Sequence, residues 1–386
     1  MDVSTFGRDR TGTLIETPFG VSAFIPNPLP PDIDLGEITN PLTRATSAVG
    51  ELKGASRRLV NPYILVRPLQ RREALTSSAM EGTFTTEDDL LLTDAGINDD
   101  ATQASIEVRN YLRALTESLR LLQVENLPIC HKVIRTAHRI LLTGVGAYRG
   151  ANRNAGEYKT EQNAISGKKA GIQNARFIPP PPDYAQRAMD DLEAYINRPD
   201  RDQSPALLDI ALVHYQLETI HPFSDGNGRV GRMLISLMAV ERNLFDDPLL
   251  YISPALENRK DEYIDLMLRV STHGEWIAWI TFFLEVVEHS AISAIAVVDR
   301  LITLQEDYRA RVTRATRSTN AVGLVDMLFN QPIVTVRDVQ DSFGVTYRAA
   351  RMTIDKLIDE GILFEVSRYH PTAFIAPEIM RVADQD

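Results

Sequence analysis

His221-Pro222-Phe223-Ser224-Asp225-Gly226-Asn227-Gly228-Arg229-Val230-Gly231-Arg232 is the stretch whose reading decides the fold. It places a proton acceptor (His221), a hard metal ligand (Asp225), two loop glycines (Gly226, Gly228) and two arginines within one short segment. Upstream, Leu208, Ile210, Leu212, Val213, Leu217 and Ile220 fit a buried helical face, with one apolar position to spare. Downstream, Met233, Leu234, Leu237, Met238 and Val240 form a second such face with no Gly or Pro to break it. The spacing therefore predicts helices over Ser204–Ile220 and Val230–Arg242, joined by a glycine-rich turn. Such a turn offers free backbone N–H groups and the positive end of a helix dipole to an anion. A capped helix-to-helix turn, with Asp225 or Asn227 as N-cap, would account for the Gly-x-Gly alone. A P-loop would need a preceding strand and a closing Gly-Lys-Ser/Thr, and neither is present.

Taken whole, the stretch resembles the signature of Fic-domain proteins, His-x-Phe-x-Asp/Glu-Gly-Asn-Gly-Arg-x-x-Arg, and matches each of its fixed positions. The resemblance implies a Fic-type helical bundle with a small β-hairpin flap, and transfer of AMP from ATP to a Tyr, Thr or Ser hydroxyl of a target protein or of the enzyme itself. In that chemistry a neutral imidazole accepts the hydroxyl proton, the role implied for His221. Asp225 would ligate Mg²⁺ on the phosphates. The amides around Gly226, Asn227 and Gly228 would form an anion hole, and Arg229 and Arg232, three apart on the next helical turn, would face the β- and γ-phosphates. Phe223 reads as a buried wedge. Tyr263 occupies the region where relatives build the adenine side of the pocket, and Trp276 and Trp279 read as core. The implied flap, which pairs with the target's backbone as an added strand, maps to Gly171–Ile178, with Ile172, Gln173, Asn174 and Ala175 at its centre.

A second motif, Ser77-Ser78-Ala79-Met80-Glu81-Gly82, resembles the Ser/Thr-x-x-x-Glu-Gly/Asn pattern of the inhibitory helix of Fic proteins. The resemblance implies that Ser77 and Glu81 are inhibitory and that Glu81 pairs with Arg232 in place of the γ-phosphate. Removal of AMP, phosphate transfer, and a helix-turn-helix regulator with a nucleotide-sensing Fic domain are the alternatives. The intact Asn227-Gly228 pair favours AMP transfer.

The rest of the chain has a different texture. Residues 1–45 are turn-rich, with Pro26, Pro28, Pro30 and Pro31 suggesting an extended arm. Thr143–Ala175 is irregular, and Pro179–Pro182 stops the chain before a helix near Tyr184. Trp276–Val298 reads as a further helix, with Arg309, Arg311, Arg314 and Arg317 marking its end and a linker. Beyond it, Val336–Ser342 and Thr346–Glu360 read as helices around Gly344-Val345, and Ile362–Val366 with Ala373–Ala376 as a two-stranded wing. Ala350, Ile354, Leu357 and Ile358 share one apolar face of the second helix. This resembles a winged helix-turn-helix, with Tyr347, Arg348, Arg351 and Lys356 on its outer face. The chain is expected to divide into residues 1–100 (arm and inhibitory helix), 101–300 (catalytic core) and 301–386 (linker and winged helix-turn-helix), a mainly α fold.

The 386 residues are enough for several domains, and 24 % charged with 44 % apolar residues are the proportions of an ordinary soluble protein. A net charge of −11 argues against general affinity for nucleic acid or anionic membrane. From residue 301 onward ten Lys or Arg stand against twelve Asp or Glu, so DNA binding there is not favoured. The single cysteine, Cys130, excludes an intrachain disulfide and reads as a buried structural thiol. With no charged-then-apolar leader and Ala291–Val298 too short to span a bilayer, a cytoplasmic protein without membrane partners is expected. Homodimerisation is left open.

Overall fold

The computed structural model describes residues 1–57, 63–94, 102–145, 154–165, 171–366 and 371–384. The 100/101 domain boundary lies outside them. The turn-rich start is not an extended arm. It forms an antiparallel hairpin, β1 (Gly12–Glu16) with β2 (Ser22–Pro26), in the register Leu14↔Phe24. A 23-residue helix, α1 (Leu35–Arg57), then starts ten residues earlier than the prolines suggest. The Asp34 carboxylate accepts the Gly36 N–H at 2.8 Å and supplies the N-terminal cap.

Three helices follow in the N-terminal half: α2 (Tyr63–Met80), α3 (Glu87–Asp94) and α4 (Gln103–Gln123). Thr102 caps α4 by accepting the Ser105 N–H at 3.1 Å. Next come α5 (His131–Leu141) and α6 (Pro182–Ile196), the latter opened by Pro182 where a missing N–H costs nothing. Cys130 is the N-cap residue of α5 and is half-buried rather than buried.

The centre of the molecule is the pair α7 (Ala206–Ile220) and α8 (Asn227–Glu241). Thirteen of the 15 residues of α7 and 14 of the 15 in α8 are buried. Both helices are therefore apolar around most of their circumference, which explains the surplus apolar position in the sequence pattern. Asp209 fixes their far ends. It is buried, and it accepts from Tyr195, Ser204, Arg198 and Arg242 at 2.5–3.0 Å.

Beyond α8 lie α9 (Ser253–Asn258), α10 (Lys260–His273) and the 40-residue α11 (Trp276–Ala315). No Gly or Pro interrupts Trp276–Ala315, so α11 runs straight through the expected 300/301 boundary and past Arg309, Arg311 and Arg314. It is long and apolar enough to cross a bilayer, but 56 % of its most apolar window is buried inside the protein, chiefly against α1. Burying each large apolar side chain contributes roughly 1.5–3 kcal/mol, so the apolarity of α11 is explained by its place in the core. Trp279 is fully buried there and donates its indole N–H to the Ala211 carbonyl at 3.1 Å.

The C-terminal unit consists of α12 (Thr319–Asn330), β3 (Ile333–Thr335), α13 (Val336–Phe343), α14 (Tyr347–Asp359), β4 (Phe364–Val366), β5 (Ala373–Ile375) and α15 (Pro377–Asp384). Its strands form one antiparallel sheet in the order β3-β5-β4, one strand more than the sequence suggested. Thr335 and Asp338 form a capping box, and Gly344 closes α13 in the left-handed region. Ala350, Ile354 and Leu357 are buried as the periodicity predicts. On the outer face of α14, Arg351 pairs with Asp355 and Glu365, and Lys356 donates to Thr316.

Candidate active site

The site begins where α7 stops. His221 sits just past its last turn in the left-handed region, at φ 49°, and its N–H closes the helix on the Leu217 carbonyl at 2.9 Å. A histidine in that region costs backbone energy, so the surrounding contacts must hold it. The Asn227 amide ties the loop shut, accepting the Phe223 N–H and donating to the Phe223 carbonyl, each at 2.8 Å. Its side chain is thus committed to the loop and not to an anion hole. Gly226, at φ 77°, is the N-cap residue of α8, in place of Asp225 or Asn227. Phe223 is the expected wedge: it is fully buried and stacks on His138 at 3.8 Å between ring centroids.

His138 Nε2 lies 2.9 Å from the Asp225 carbonyl, and its Nδ1 accepts the Gly156 N–H at 2.9 Å. Nε2 therefore carries the proton and donates to Asp225. Burial holds His138 neutral, with its pKa pulled down to about 4. On the other side of the loop stand Lys159 and Asn163. Lys159 Nζ donates to the Ile220 and His221 carbonyls and to Asn163 Oδ1, the last at 2.7 Å. Asn163 donates to the His221 and Phe223 carbonyls, both at 2.9 Å. Burial lowers the Lys159 pKa to about 7. His138, Lys159 and Asn163 escaped the sequence reading, because nothing local marks a residue that binds carbonyls 58–87 positions away.

His221 Nδ1 lies 3.2 Å from the Glu218 carbonyl, so Nδ1–H donates there and Nε2 keeps its lone pair. Burial first, and then the Lys159 charge, pull its pKa down to about 4. The imidazole is neutral at physiological pH, as a proton acceptor requires.

The two signature arginines have different partners. Arg229 is buried, with Nη1 at 3.0 Å from Glu107 Oε2, and its other nitrogen lies 3.7 Å from Asp225. Thr83 also donates to Glu107, at 2.9 Å. Arg232 donates to Ser77 Oγ and to the Ser77 carbonyl at 2.8 Å each, and to Glu81 Oε1 at 2.7 Å. Burial alone would raise the Glu81 pKa, but the Arg232 charge and hydrogen bond, with Arg229 behind them, bring it below the usual carboxylate range. A Cβ on Gly228 would come within 2.1 Å of Glu81 Oε1, so the Glu81 carboxylate lies directly against the backbone of the first turn of α8. The Glu81–Arg232 pair that the resemblance implies is thus formed, and the structure adds Ser77 and Gly228 to it. Glu81 is carried there by α2, which Glu73 pins by accepting the Ser253 N–H at 2.9 Å, and whose last carbonyls receive Lys260 Nζ at Met80, 3.1 Å away.

A cavity of about 210 Å³ opens beside this contact, lined among others by Met80, Glu218, His221, Lys260, Tyr263 and Met267. The Tyr263 hydroxyl sits 2.9 Å from His214 Nε2, while His214 Nδ1 faces the Gly231 carbonyl, so Tyr263 donates to His214 and its ring forms the wall. Glu218 also escaped the sequence reading, although a carboxylate three residues before His221 on an otherwise apolar helix was a visible signal. Burial pushes its pKa up to about 7. Its Oε1 is buried without a hydrogen-bond partner among the described residues, and a Cβ on Gly231 would approach it to 2.2 Å.

The expected hairpin flap is reduced, among the described residues, to one antiparallel bridge, Ile165↔Phe177. Ile172–Asn174 form a 3₁₀ turn rather than a strand, and Ala175 is buried against the β1–β2 hairpin. The hairpin supports the flap directly, with Phe24 N–H donating to the Ile178 carbonyl at 2.9 Å. Asp225 is part-exposed. Its Oδ1 accepts the Gly226 N–H at 2.6 Å, which leaves Oδ2 without a hydrogen bond among the described residues.

Comparison with known proteins agrees with this geometry. Residues 39–120 match the family model described as Fic/DOC family N-terminal, and residues 128–239 match that of the Fic/DOC family. The chain is 31 % identical over 122 residues to protein adenylyltransferase fic-1 of Caenorhabditis elegans, covering 31 % of this chain and 21 % of the relative. It is 25 % identical over 190 residues to protein adenylyltransferase Fic of Aedes aegypti, covering 48 % of this chain and 34 % of the relative. The chain thus spans between about a fifth and a third of the length of these curated relatives. The fold matches a Fic family protein from Desulfovibrio desulfuricans, with TM-score 0.58 and 18 % identity over 90 % of this chain and 98 % of that one. It also matches a fragment of Fic-1 from C. elegans, with TM-score 0.53 and 21 % identity over 71 % of this chain and 75 % of that one. With the two family models covering about half its length and a signature loop complete at each fixed position, the chain belongs to the Fic/DOC family.

Proposed function

We propose that the protein transfers AMP from ATP to a Ser, Thr or Tyr hydroxyl of a protein, itself included, and that Glu81 holds it in an inhibited state. The observation that carries the proposal is the Glu81 carboxylate, lodged against Gly228 and bound to Arg232 where the signature calls for a phosphate. An acidic oxygen pair in that seat mimics the charge and hydrogen bonding of a terminal phosphate. While it stays, a triphosphate cannot engage Arg232, and the α-phosphate is kept out of line for attack. Once it leaves, the hydroxyl oxygen attacks the α-phosphorus and its proton passes to His221 Nε2. The bond from the α-phosphorus to the bridging oxygen of the β-phosphate breaks, and pyrophosphate departs. Asp225 fits the part of single carboxylate ligand to Mg²⁺, since one oxygen is uncommitted and such ions are commonly held by one carboxylate plus substrate phosphates. Mg²⁺ there would neutralise phosphate charge. The backbone beside the Ile165↔Phe177 bridge is the proposed docking edge for the target.

The C-terminal unit is proposed to be a winged helix-turn-helix used for protein contact. Of the three cations a DNA reader would present, Arg351 and Lys356 are bonded within the chain and Arg348 alone is exposed without an ion pair among the described residues. Little DNA binding is therefore expected at physiological salt. The reaction itself is tested by incubating the Glu81→Gly protein with α-labelled and, separately, γ-labelled ATP. Label on protein from the α-position alone supports AMP transfer; label from the γ-position alone refutes it.

A further inference from the structure

We propose that a second anion site, apart from the signature loop, lies in the cleft between α2, α4, α5 and the α12–β3 turn, and that it takes a compact polyphosphate. The cleft has a volume of about 980 Å³, within the range of small-ligand pockets. Six arginines line it: Arg67, Arg71, Arg109, Arg113, Arg120 and Arg139. Against them stand only Glu117 and Asp247 among its described lining residues, so the cleft is cationic in a chain whose net charge is −11.

Ordinary ion pairing does not account for that concentration. Arg71 pairs with Glu87 and Arg120 with Glu117 and Glu125. Among the described residues, Arg67, Arg109 and Arg113 have no ion pair, and Arg139 has only the Thr136 hydroxyl. Two buried polar atoms of the lining residues, Arg109 Nε and Asn330 Oδ1, have no hydrogen-bond partner among the described residues. Buried donors are normally satisfied, so the unmet Nε is a second, independent pointer to an absent anionic ligand. Guanidinium groups lining one cleft offer phosphate oxygens both charge and paired N–H donors. The walls also carry the apolar side chains of Val66, Leu112 and Ile140. The overall negative charge disfavours a long nucleic acid, whose phosphates would extend over acidic surface. A small ligand with several adjacent phosphates meets both conditions.

The walls are the helices that hold the signature arginines. α2 lines the cleft with Arg67 and reaches Arg232 through Ser77 and Glu81, while α4 lines it with Arg109 and Arg113 and reaches Arg229 through Glu107. The binding site itself requires no assumption about the reaction at His221.

The test is calorimetric titration of the full chain with inorganic tripolyphosphate, without added metal. Four proteins are compared: wild type, Arg232→Ala, Arg113→Gln alone, and the double variant Arg67→Gln with Arg113→Gln. Both cleft residues are exposed, and each variant's fold is checked by its melting curve. Binding should persist in Arg232→Ala and weaken at least about tenfold in the double variant, with Arg113→Gln alone falling between. Absence of binding to Arg232→Ala, or equal binding to that protein and the double variant, overturns the site. A single-stranded oligonucleotide or a poly-glutamate peptide that binds the cleft more tightly than tripolyphosphate overturns the assignment to a compact polyphosphate.

Discussion

Glu81→Gly is the perturbation on which the self-inhibition reading stands. In the wild-type protein Arg232 is almost fully buried and Glu81 is 37 % exposed, with 2.7 Å between Nη2 and Oε1. A charge-assisted hydrogen bond of this kind is worth about 1.5–3 kcal/mol when buried. Solvent around the exposed part of Glu81 reduces that to about 1–2 kcal/mol. If this contact sets the balance between closed and competent states, removing it should raise the competent population by about 5–30-fold, since each 1.4 kcal/mol is a factor of ten. Transfer of α-label at saturating ATP should rise by that factor in Glu81→Gly. Glu81→Gln, which keeps an acceptor and loses the charge, should gain less. The double variant Glu81→Gly with Arg232→Ala should lose the gain, because the freed seat then has no arginine. The pH dependence has a definite sign. The Glu81 carboxyl is held below its usual range, so the pair is complete above the ordinary carboxylate pKa and is lost only as pH falls through the lowered value. Wild-type activity should therefore stay repressed across roughly pH 5–8. Unchanged transfer in a folded Glu81→Gly protein would refute the reasoning.

Three shorter predictions follow from the same geometry. In the Glu81→Gly background, His221→Ala should reduce transfer roughly 10²–10⁴-fold while calorimetric ATP affinity is kept, because the imidazole acts on the proton in flight. Gly228→Ala should fold, since the Glu81 carboxylate in its way is the end of a flexible side chain, yet it should not activate as Glu81→Gly does: the new methyl fills the seat that Glu81 leaves. Parallel melting curves and label-transfer assays of the two variants check this. The Glu218 pKa is raised to about 7, so wild-type stability falls as pH rises from the ordinary carboxylate range through 7. Glu218→Gln should remove that loss, giving on the order of 3 kcal/mol more stability than wild type in urea titration at pH 8 and little difference at pH 4.

What could be read from the sequence was whatever the chemistry kept local. The loop from His221 to Arg232 carries its own glycines, its Asn227 latch and its Phe223 wedge, and each lies within a few residues of what it touches. The Glu81–Arg232 contact spans 151 residues and was still legible, because a second motif marked the distant partner. Lys159, Asn163, His138 and Glu107 carried no such mark. A lysine in a Gly- and Asn-rich segment looks solvated until the fold places three acceptors around its Nζ. The hairpin of residues 12–26 was hidden by the prolines around it, and the flap was placed by resemblance alone, since a 3₁₀ turn has no periodicity of its own to read.

Arg229 and Arg232 lie three residues apart on one helix, yet their partners assign them different work. Arg229 and Glu107 are both about 1 % exposed, so neither charge can be handed to water. Arg232 shares that burial, but its partner Glu81 stands at 37 % exposure and can swing out. Arg229 is therefore a fixed post, steadying the loop beside Asp225 at 3.7 Å, and Arg232 is, on the proposed reading, the cation whose partner gives way to a ligand. The difference is measurable without any reaction. Arg229→Ala strands the Glu107 carboxylate in the interior with the Thr83 hydroxyl donating to it, and should cost about 3–5 kcal/mol of folding stability. Arg232→Ala releases a carboxylate that can reach solvent but also takes the donor from two buried Ser77 acceptors, so it should cost less than Arg229→Ala, about 2–3 kcal/mol. Urea unfolding at pH 7 distinguishes the two. If Arg232→Ala proved the more damaging, the Glu81 contact would be a structural strut, and its release could not be the step that admits ATP.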